Sequence, residues 1–498
     1  MRYYSTRGEA EKMEAAQAIL KGLAPDGGLF VPADRLKPYA TNNLPEGSYQ
    51  DLAKTVLKPF LADFSDADLE STIHNAYNIH TFDHQTVTPL IKLSDQLHIL
   101  ELWHGPTCAF KDIALQILPH FINTALAKNN KNNEVVILTA TSGDTGKSAL
   151  EGFRDVPGIR IIVYFPEKGV SEIQKLQMIT QEGRNVGVCA VKGNFDDTQK
   201  RVKQIFNDQE LAAQLQEAGY SLSSANSINW GRLLPQIIYY FAAYQELIRQ
   251  NSLQPGQKVN FVVPTGNFGN ILAGYYARQL GLPVNRLICA ANRNNVLSDF
   301  INSGIYDSRR QFYNSLSPSM DILVSSNLER LLFEITGHDA KRISVWMKQL
   351  TEAGQYQVDH ATLEKLTELF WSDYADDDET LTTIADTYQD FNYLLDPHTA
   401  VGKNVLDKYL GQGKEQCPSV ILSTASPFKF PSSTIRALFN SERFNGVTEL
   451  EMIKIMGRET GIPVPHNLAT LDQMPIRHQK VIKPKEMYSH LLQTLAVK

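Results

Sequence analysis

The sequence predicts an α/β protein with two parallel-sheet α/β layers and a small, mostly helical N-terminal domain. From about residue 97 onward, short apolar runs with the character of β-strands alternate with segments of helical periodicity. Such alternation is typical of parallel sheets covered by helices on both faces, and the number of strands and helices indicates two sheets. A chain of 498 residues also exceeds the usual size of a single domain.

The first 95 residues have a different pattern. Apolar side chains recur at helical spacing in Gly8–Leu23, Leu52–Phe64 and Leu69–Tyr77, and the run PDGGLFVP predicts a turn followed by a short extended piece. We therefore predict a mostly helical N-terminal domain over residues 1–95.

Residues 96–498 are predicted to form two interleaved α/β subdomains. Six runs have the apolar character of strands: Val135–Ala140, Ile159–Phe165, Val186–Val191, Val259–Val263, Leu287–Ala291 and Val420–Thr424. Four segments between them have helical periodicity: Ser171–Glu182, Glu210–Ala218, Leu233–Gln250 and Ile271–Leu280. The less regular stretch of residues 302–391 is predicted to be a helical insertion.

Composition and charge argue against several classes of protein. The formal net charge of −6 and the isoelectric point near 6.1 disfavour binding to nucleic acid. The longest apolar stretches, such as Gln236–Tyr244, are far shorter than a membrane span, and no run of signal-peptide length follows the N-terminal charges. The four cysteines form no CxxC pair, which predicts reduced thiols in a cytoplasmic protein and no metal site.

The segment GNFGN, Gly266–Asn270, lies between a predicted strand and a predicted helix. Ligands of open α/β sheets bind beyond the carboxyl ends of the strands, and glycines let backbone N–H groups approach an anion at a helix N-terminus. The full G-x-G-x-x-G spacing of a dinucleotide site is missing. By itself the segment fits an anion-binding loop and a tight turn about equally well.

The segment TSGDTGKSAL, Thr141–Leu150, follows another predicted strand and matches the end of a P-loop at Gly146, Lys147 and Ser148. Thr141 stands where that motif needs its first glycine, which disfavours a nucleotide-hydrolysing site. The hydroxyl groups of the segment are suited to binding a small carboxylate, or to capping the helix that follows.

Lys111, in HGPTCAFKDIALQ, precedes an apolar pattern of helical spacing. Most lysines are solvated surface groups. A lysine held among apolar residues loses its proton more readily, however, and then becomes an amine nucleophile.

In SANSINWGRLLPQ, the polar residues Asn226, Ser227 and Arg232 stand just ahead of a predicted helix. Their composition suits a second phosphate, although a polar helix-capping loop explains the segment better when it is considered alone. Two anion sites together with an amine nucleophile indicate a phosphate-bearing carbonyl cofactor and a phosphorylated substrate.

Six motifs occur in the order found in one enzyme family: HGPTCAFKD, TATSGDTG, SANSINWGR, PTGNFGN, LDPHTAVG and LSTASPFKF. With these, and with its opening segments MRYYSTRG and PDGGLFVP, the chain resembles the threonine synthases of the longer bacterial and fungal type over nearly its whole length. The resemblance implies the fold of the tryptophan-synthase β-subunit group of pyridoxal-phosphate enzymes, with the cofactor between two α/β domains.

The resemblance also implies roles for individual residues, of which Lys111 would form the Schiff base with pyridoxal 5′-phosphate. The other residues expected at the cofactor are Gly266, Asn267, Phe268, Gly269 and Asn270 at its phosphate, Thr424 at its pyridine nitrogen and Asp144 at its 3′-oxygen. The residues expected at the substrate are Thr141, Ser142 and Thr145 at its carboxylate, and Asn226, Ser227 and Arg232 at its phosphate.

Two residues of these motifs call for comment. Asp144 stands where many members of the wider fold group have asparagine, and a carboxylate beside a phenolate-like oxygen and a substrate carboxylate is electrostatically unfavourable. His398, in LDPHTAVG, is predicted to be a structural, hydrogen-bonded histidine.

The implied activity is the conversion of O-phospho-L-homoserine and water into L-threonine and phosphate, by a monomer or homodimer. A related pyridoxal-phosphate serine or threonine dehydratase is the alternative, but an unphosphorylated amino acid would not need the phosphate-binding residues of SANSINWGR. A protein that only binds or senses the cofactor is a third reading, which the intact lysine and substrate loops disfavour.

Overall fold

The computed structural model describes residues 1–8, 11–39, 45, 47–129, 133–141, 143–413, 417–439 and 444–497. Within them the strands are β1 (Tyr3–Ser5), β2 (Phe30–Pro32), β3 (Leu90–Lys92), β4 (Leu97–Glu101), β5 (Glu134–Ala140), β6 (Ile159–Pro166), β7 (Val186–Val191), β8 (Tyr220–Ser223), β9 (Val259–Pro264), β10 (Val284–Ala291), β11 (Ile305–Asp307), β12 (Gln355–Gln357), β13 (Phe370–Tyr374), β14 (Ser419–Ser423) and β15 (Val481–Ile482). The α-helices are α1 (Ala15–Lys21), α2 (Tyr49–Leu57), α3 (Asp66–Ala76), α4 (Lys111–Leu115), α5 (Leu118–Lys128), α6 (Asp144–Gly152), α7 (Glu172–Ile179), α8 (Phe195–Asn207), α9 (Gln209–Glu217), α10 (Trp230–Leu233), α11 (Ile238–Arg249), α12 (Gly269–Gln279), α13 (Val296–Ser303), α14 (Leu328–Ile335), α15 (Ala340–Ala353), α16 (His360–Leu369), α17 (Asp377–Phe391), α18 (Pro397–Gly411), α19 (Pro431–Leu438), α20 (Glu449–Thr460), α21 (His466–Ala469) and α22 (Met487–Leu495). No helix in these ranges is long and apolar enough to cross a lipid bilayer.

Two sheets form the framework of the molecule. The larger has the strand order β13-β10-β9-β14-β4-β3 and is parallel except for the edge pair β3–β4. The smaller has the order β15-β7-β6-β5-β8 and is parallel throughout. Interior strands such as β9 and β14 are buried along their whole length, as expected for strands covered on both faces. The α/β fold class with two parallel sheets is therefore confirmed, and all six predicted strands are present.

The N-terminal region contains helices α1–α3 and the antiparallel pair β1–β2. Helix α1 is shorter than the predicted segment, because Met13 is extended and exchanges backbone hydrogen bonds with Tyr3 at 2.7 and 2.8 Å. Tyr3 and Phe60 pack against Trp230, with ring centroids 5.4 and 5.8 Å apart. The N-terminal region thus contacts the start of α10, within the SANSINWGR segment.

The segment of residues 302–391 is not only helical. Besides α14–α17 it contains the strand pair β11–β12 and strand β13, which pairs with β10 at the edge of the larger sheet. The sequence of β13, FWSDY, is short and partly polar, and it ends in the half-buried Asp373 and the exposed Tyr374. Such an edge strand has a weak signature in sequence.

The helix predicted over Leu233–Gln250 is divided. Helix α10 ends at Leu233, a 3₁₀ turn follows over Leu234–Ile237, and α11 begins at Ile238. Pro235 lacks a backbone N–H and crowds the preceding turn, which interrupts regular helix at this point. The interruption leaves α10 as a separate short helix.

Candidate active site

Five loops that carry the predicted site residues all begin at the carboxyl ends of parallel strands. The loop after β4 leads to Lys111, that after β5 to Asp144 and that after β8 to Arg232. The GNFGN loop follows β9, and Thr424 follows β14 directly. This is the end of an α/β sheet at which ligands bind.

Lys111 is held against the end of β14. Phe110 N–H donates to the Thr424 carbonyl oxygen at 2.8 Å, and Ser426 N–H donates to the Cys108 carbonyl oxygen at 3.1 Å. Cys108 has a left-handed backbone, with φ of 57°, which is uncommon for a residue other than glycine. Strained backbone of this kind tends to occur at functional sites, and here it places Lys111 at the first position of α4.

The Lys111 amine lies in a largely enclosed, charged environment. Its side chain is 14% exposed, and Nζ lies 3.8 Å from Asp144 Oδ2. Burial lowers the pKa of Lys111 to about 8; the positive charges of Lys429 and Arg232 act in the same direction and the charge of Asp144 opposes it. The neutral amine, which is the form that attacks a carbonyl group, is therefore more populated near physiological pH than it is for an ordinary lysine.

This environment predicts how Lys111 reacts with an aldehyde as the pH changes. Since only the neutral amine is nucleophilic, we expect borohydride-trapped labelling of Lys111 by an aromatic aldehyde to rise through a midpoint near pH 8. Peptide mass spectrometry of the full chain measures that labelling. The reference is Lys348, whose side chain is 72% exposed, and identical pH profiles for the two lysines would contradict the prediction.

Asp144 is a buried charged group with several donors around it. Its Oδ1 receives the Lys429 ammonium and the Gln174 amide, each at 2.8 Å, and its Oδ2 receives the Ser319 hydroxyl at 3.0 Å. Burial alone would raise the pKa of this carboxyl, but Lys429, Lys111 and the hydrogen bonds from Lys429 and Gln174 together hold it well below its usual range. Asp144 begins α6, which follows β5 of the smaller sheet, and Lys429 lies in the segment after β14 of the larger sheet. The ion pair therefore connects loops from the two sheets next to Lys111.

The loop between β5 and α6 is held closed by its own side chain. The Thr141 hydroxyl accepts from the N–H groups of Gly143 and Gly146 at 3.0 and 2.9 Å, which is the capping role considered from the sequence. Thr145 is half-buried on the first turn of α6. Ser142 lies outside the described residues.

Two neighbouring side chains hold the carbonyl groups of the GNFGN loop by hydrogen bonds. The Ser325 hydroxyl donates to the Gly266 carbonyl oxygen at 2.9 Å, and the Asn327 side chain donates to the Asn267 carbonyl oxygen at 3.0 Å. Phe268 caps α12 in a left-handed conformation, with φ of 64°. These contacts fix the backbone of the loop ahead of α12, and the first N–H groups of a helix have no partner within the helix, as an anion-binding helix N-terminus requires.

Several buried donors have no acceptor within the described part of the chain, including Trp230 Nε1 on the same helix as Arg232, and two of them belong to predicted site residues: Asn270 Nδ2 and Arg232 Nε. The Asn270 Oδ1 atom accepts from the hydroxyls of Tyr239 and Tyr240 at 2.6 and 3.0 Å, which identifies Nδ2 as the unpaired donor. The Nη1 group of Arg232 donates to the Ala225 carbonyl oxygen. Burial lowers the pKa of Arg232 to about 10. A buried donor without an acceptor is costly, so both atoms are suited to a bound anion.

Asn226 and Ser227 are half-buried in the loop that leads to Arg232. Asn229 caps α10 through its side chain, and its amide also donates to the Ile19 carbonyl oxygen at 3.0 Å. The N-terminal region therefore helps to hold the loop that carries Asn226, Ser227 and Arg232.

His398 is buried and hydrogen-bonded at both ring nitrogens, as predicted. Ser319 N–H donates to Nε2 at 3.2 Å, so Nδ1 carries the proton and donates to Asp396 Oδ1 at 2.7 Å. The histidine thereby positions the segment that contains Ser319, whose hydroxyl contacts Asp144.

Two residues that the sequence did not single out complete the arrangement. Lys429 is fully buried beside Asp144. Arg330 is also fully buried; it donates to the carbonyl oxygens of Phe30 and Ile228 at 2.9 and 2.6 Å and to the Asn327 side chain. Arg330 thus joins the N-terminal region, the loop before α10 and the support of the GNFGN loop. The apolar neighbours of Lys429, Phe428 and Phe430 in the motif LSTASPFKF, are the sequence signal that could have identified it, whereas Arg330 has no comparable signal.

Three family descriptions match consecutive parts of the chain. "Threonine synthase N terminus" matches residues 2–77, "Pyridoxal-phosphate dependent enzyme" matches residues 81–362, and "Threonine synthase, C-terminal" matches residues 399–487.

Individual proteins are similar over most of their length. A threonine synthase of Pseudomonas aeruginosa is 42% identical over 441 residues, which cover 88% of this chain and 90% of that protein. The crystal structure of PLP-bound threonine synthase from Brucella melitensis superposes with a TM-score of 0.87 at 37% identity, and that of threonine synthase from yeast with 0.87 at 34%. Each structural alignment covers 99% of both chains.

Proposed function

The chain belongs to the threonine synthases and is a pyridoxal-phosphate-dependent lyase, and on this basis we propose that its substrate is O-phospho-L-homoserine. The reaction consumes one water molecule, releases phosphate from the γ-carbon and leaves a hydroxyl group on the β-carbon of L-threonine. The observation that supports this substrate is the buried guanidinium of Arg232, which has an unpaired Nε and lies on a different loop from GNFGN. Anion-binding groups on two different loops suit a phosphorylated cofactor and a phosphorylated substrate.

The residues of the site fit pyridoxal 5′-phosphate. The buried Lys111 amine suits its aldehyde, and the N-terminus of α12 with the unpaired Asn270 Nδ2 suits its phosphate. Thr424 would meet the ring nitrogen with a neutral hydroxyl group. When bound, this cofactor supplies an electron sink for the charge that develops at the substrate carbons.

In the proposed mechanism the protein contributes proton transfer, orientation and charge stabilisation. The Lys111 amine, when it is not attached to the cofactor, takes the proton from the substrate Cα and moves protons at Cβ. Arg232, with Asn226 and Ser227, holds the substrate phosphate, whose charge grows as the bond from Cγ to oxygen breaks.

The competing function is that of a serine or threonine dehydratase. The test is to incubate the protein with O-phosphohomoserine, serine and threonine separately and to measure phosphate, threonine and ammonia. Equal release of phosphate and formation of threonine from O-phosphohomoserine is the expected result. Ammonia from serine or threonine, with phosphohomoserine left unchanged, would favour the dehydratase.

The proposal includes a cytoplasmic location and a monomeric or homodimeric state. Buried thiols such as Cys108 and Cys289 suit a reducing compartment. Light scattering coupled to size-exclusion chromatography measures the assembly, and a trimer or larger oligomer would contradict it.

Substitution of Gly266 by alanine is expected to weaken cofactor binding by roughly tenfold or more, a loss of about 1.4 kcal/mol. An added Cβ would lie 2.9 Å from the Ser319 carbonyl oxygen, so the loop or its neighbour must move and the phosphate site is distorted. Gly269 differs, because a Cβ there makes only ordinary contacts at 3.6 and 3.8 Å, and a larger residue such as valine would act mainly by obstructing the phosphate.

The cofactor dissociation constant of the Gly266 variant is measured by fluorescence titration of the protein freed of cofactor. Gly411→Ala is the matched control, since a Cβ at Gly411 meets no atom within 4 Å. Unchanged affinity in the Gly266 variant would show that this loop does not hold the cofactor phosphate.

A further inference from the structure

Lys429 is a buried cation that the proposed mechanism does not use. It ends the 3₁₀ turn Pro427–Lys429 that follows β14, and its side chain is 0% exposed. Its Nζ lies 2.8 Å from Asp144 Oδ1 and donates to the Thr107 carbonyl oxygen at 2.8 Å. The side chain therefore reaches from the larger sheet to the first residue of α6, which follows the smaller sheet.

Two ammonium groups share the single carboxylate of Asp144. Lys429 contacts Oδ1 at 2.8 Å, whereas Lys111 lies 3.8 Å from Oδ2. Coulomb attraction weakens with distance, and the Lys429 pair is both the shorter one and a direct hydrogen bond. Asp144 is therefore neutralised mainly by Lys429, and its pull on the proton of Lys111 is reduced.

We propose that Lys429 is a positioning residue that neutralises Asp144, so that Asp144 does not hold the Lys111 amine in its protonated, unreactive form. The proposal rests on the proposed function in one respect, namely that Lys111 is the lysine that binds the cofactor. It assigns Lys429 no contact with the reacting atoms.

The other charged groups that face Lys111 do not replace Lys429 in this role. Arg232, from α10, also lowers the pKa of Lys111, but its guanidinium donates to the Ala225 carbonyl oxygen, whereas Lys429 is paired with Asp144. Asp112, from the same helix as Lys111, is bound by the Thr107 N–H and hydroxyl at 2.8 and 2.7 Å. Asp144 is thus the carboxylate that lies beside the Lys111 amine and whose charge Lys429 neutralises.

The test compares the variants Asp144→Asn, Lys429→Met and the double variant in the full chain freed of cofactor. Each is treated with pyridoxal phosphate and borohydride over a range of pH, and attachment to Lys111 is quantified by peptide mass spectrometry. An opposite charge at this distance shifts a pKa by about 1 to 3 units. The midpoint of attachment should rise by about that amount in Lys429→Met, fall in Asp144→Asn, and return close to the original value in the double variant.

In Lys429→Met the buried charge of Asp144 loses its partner. If this variant does not fold, the double variant still tests the proposal, because it removes both charges together. If Lys429 had only a structural role, the double variant would have the lowered midpoint of Asp144→Asn, and that result would overturn the proposal. Attachment at a lysine other than Lys111 would instead refute the proposed function itself. Attachment at Lys111 with the same midpoint in every variant would refute only the role of Lys429.

Discussion

Replacing Lys111 with alanine is expected to abolish turnover, with a loss of about a thousandfold or more in kcat. General acid–base catalysis alone contributes about 10² to 10⁴ to a rate, and this variant also loses the amine that binds the cofactor. Borohydride should no longer attach the cofactor covalently, although the GNFGN loop still binds it loosely. Phosphate release and a tryptic map of the reduced protein measure the two effects.

The fold should survive this substitution, because Asp144 keeps its contacts with Lys429, Gln174 and Ser319. Circular dichroism and thermal unfolding check this point. Lys348→Ala serves as the control, since Lys348 is largely exposed on α15 and should keep full activity. Appearance of the pyridoxyl group on another lysine would show that the assignment of Lys111 is wrong.

Replacing Arg232 with leucine is expected to lower kcat/KM for O-phosphohomoserine by roughly 10- to 150-fold or more. A hydrogen bond to a charged group contributes about 1.5 to 3 kcal/mol, and the leaving phosphate gains charge as its bond breaks. Arg232→Lys should recover only part of the loss, because lysine keeps the charge but not the two-pronged geometry. Steady-state kinetics with saturating cofactor measure both variants.

Two further measurements separate the two anion sites. Cofactor affinity should be nearly unchanged in Arg232→Leu, since the cofactor phosphate is assigned to the N-terminus of α12. Thermal stability without ligands should be equal or higher, because the substitution removes a buried, incompletely paired cation. A large loss of cofactor binding with normal kinetics at saturation would reverse the assignment.

Most of the fold could be predicted from the sequence because its interior strands are continuous apolar runs, as in β5 and β9. The elements that were missed carry weaker signals. Strand β13 is short and partly polar at the sheet edge, and the start of α1 depends on the contact of Met13 with Tyr3, which no local pattern encodes. The boundaries of these elements therefore depend on tertiary contacts, which the periodicity of the sequence does not predict.

For the same reason, only part of the candidate site could be predicted from the sequence. The motifs identify Lys111 and Asp144, and an isolated carboxylate there was electrostatically unfavourable. The structure places Lys429 beside it, from a segment far along the chain, and the resulting pair has no net charge. The pairing removes the electrostatic objection to an isolated carboxylate, but only the fold reveals it.

The position of β14 has a consequence for how the protein is made. This strand is the last of its sheet in the sequence, yet it lies between β9 and β4 and hydrogen-bonds to both. Until β14 has left the ribosome, the pair β3–β4 and the group β9–β10–β13 have no shared partner, and each keeps an exposed strand edge. Such edges are prone to aggregation in a growing chain. Because Thr424 and Lys429 follow β14 directly, the proposed cofactor site and the Lys429–Asp144 pair beside it can form only after this segment has left the ribosome.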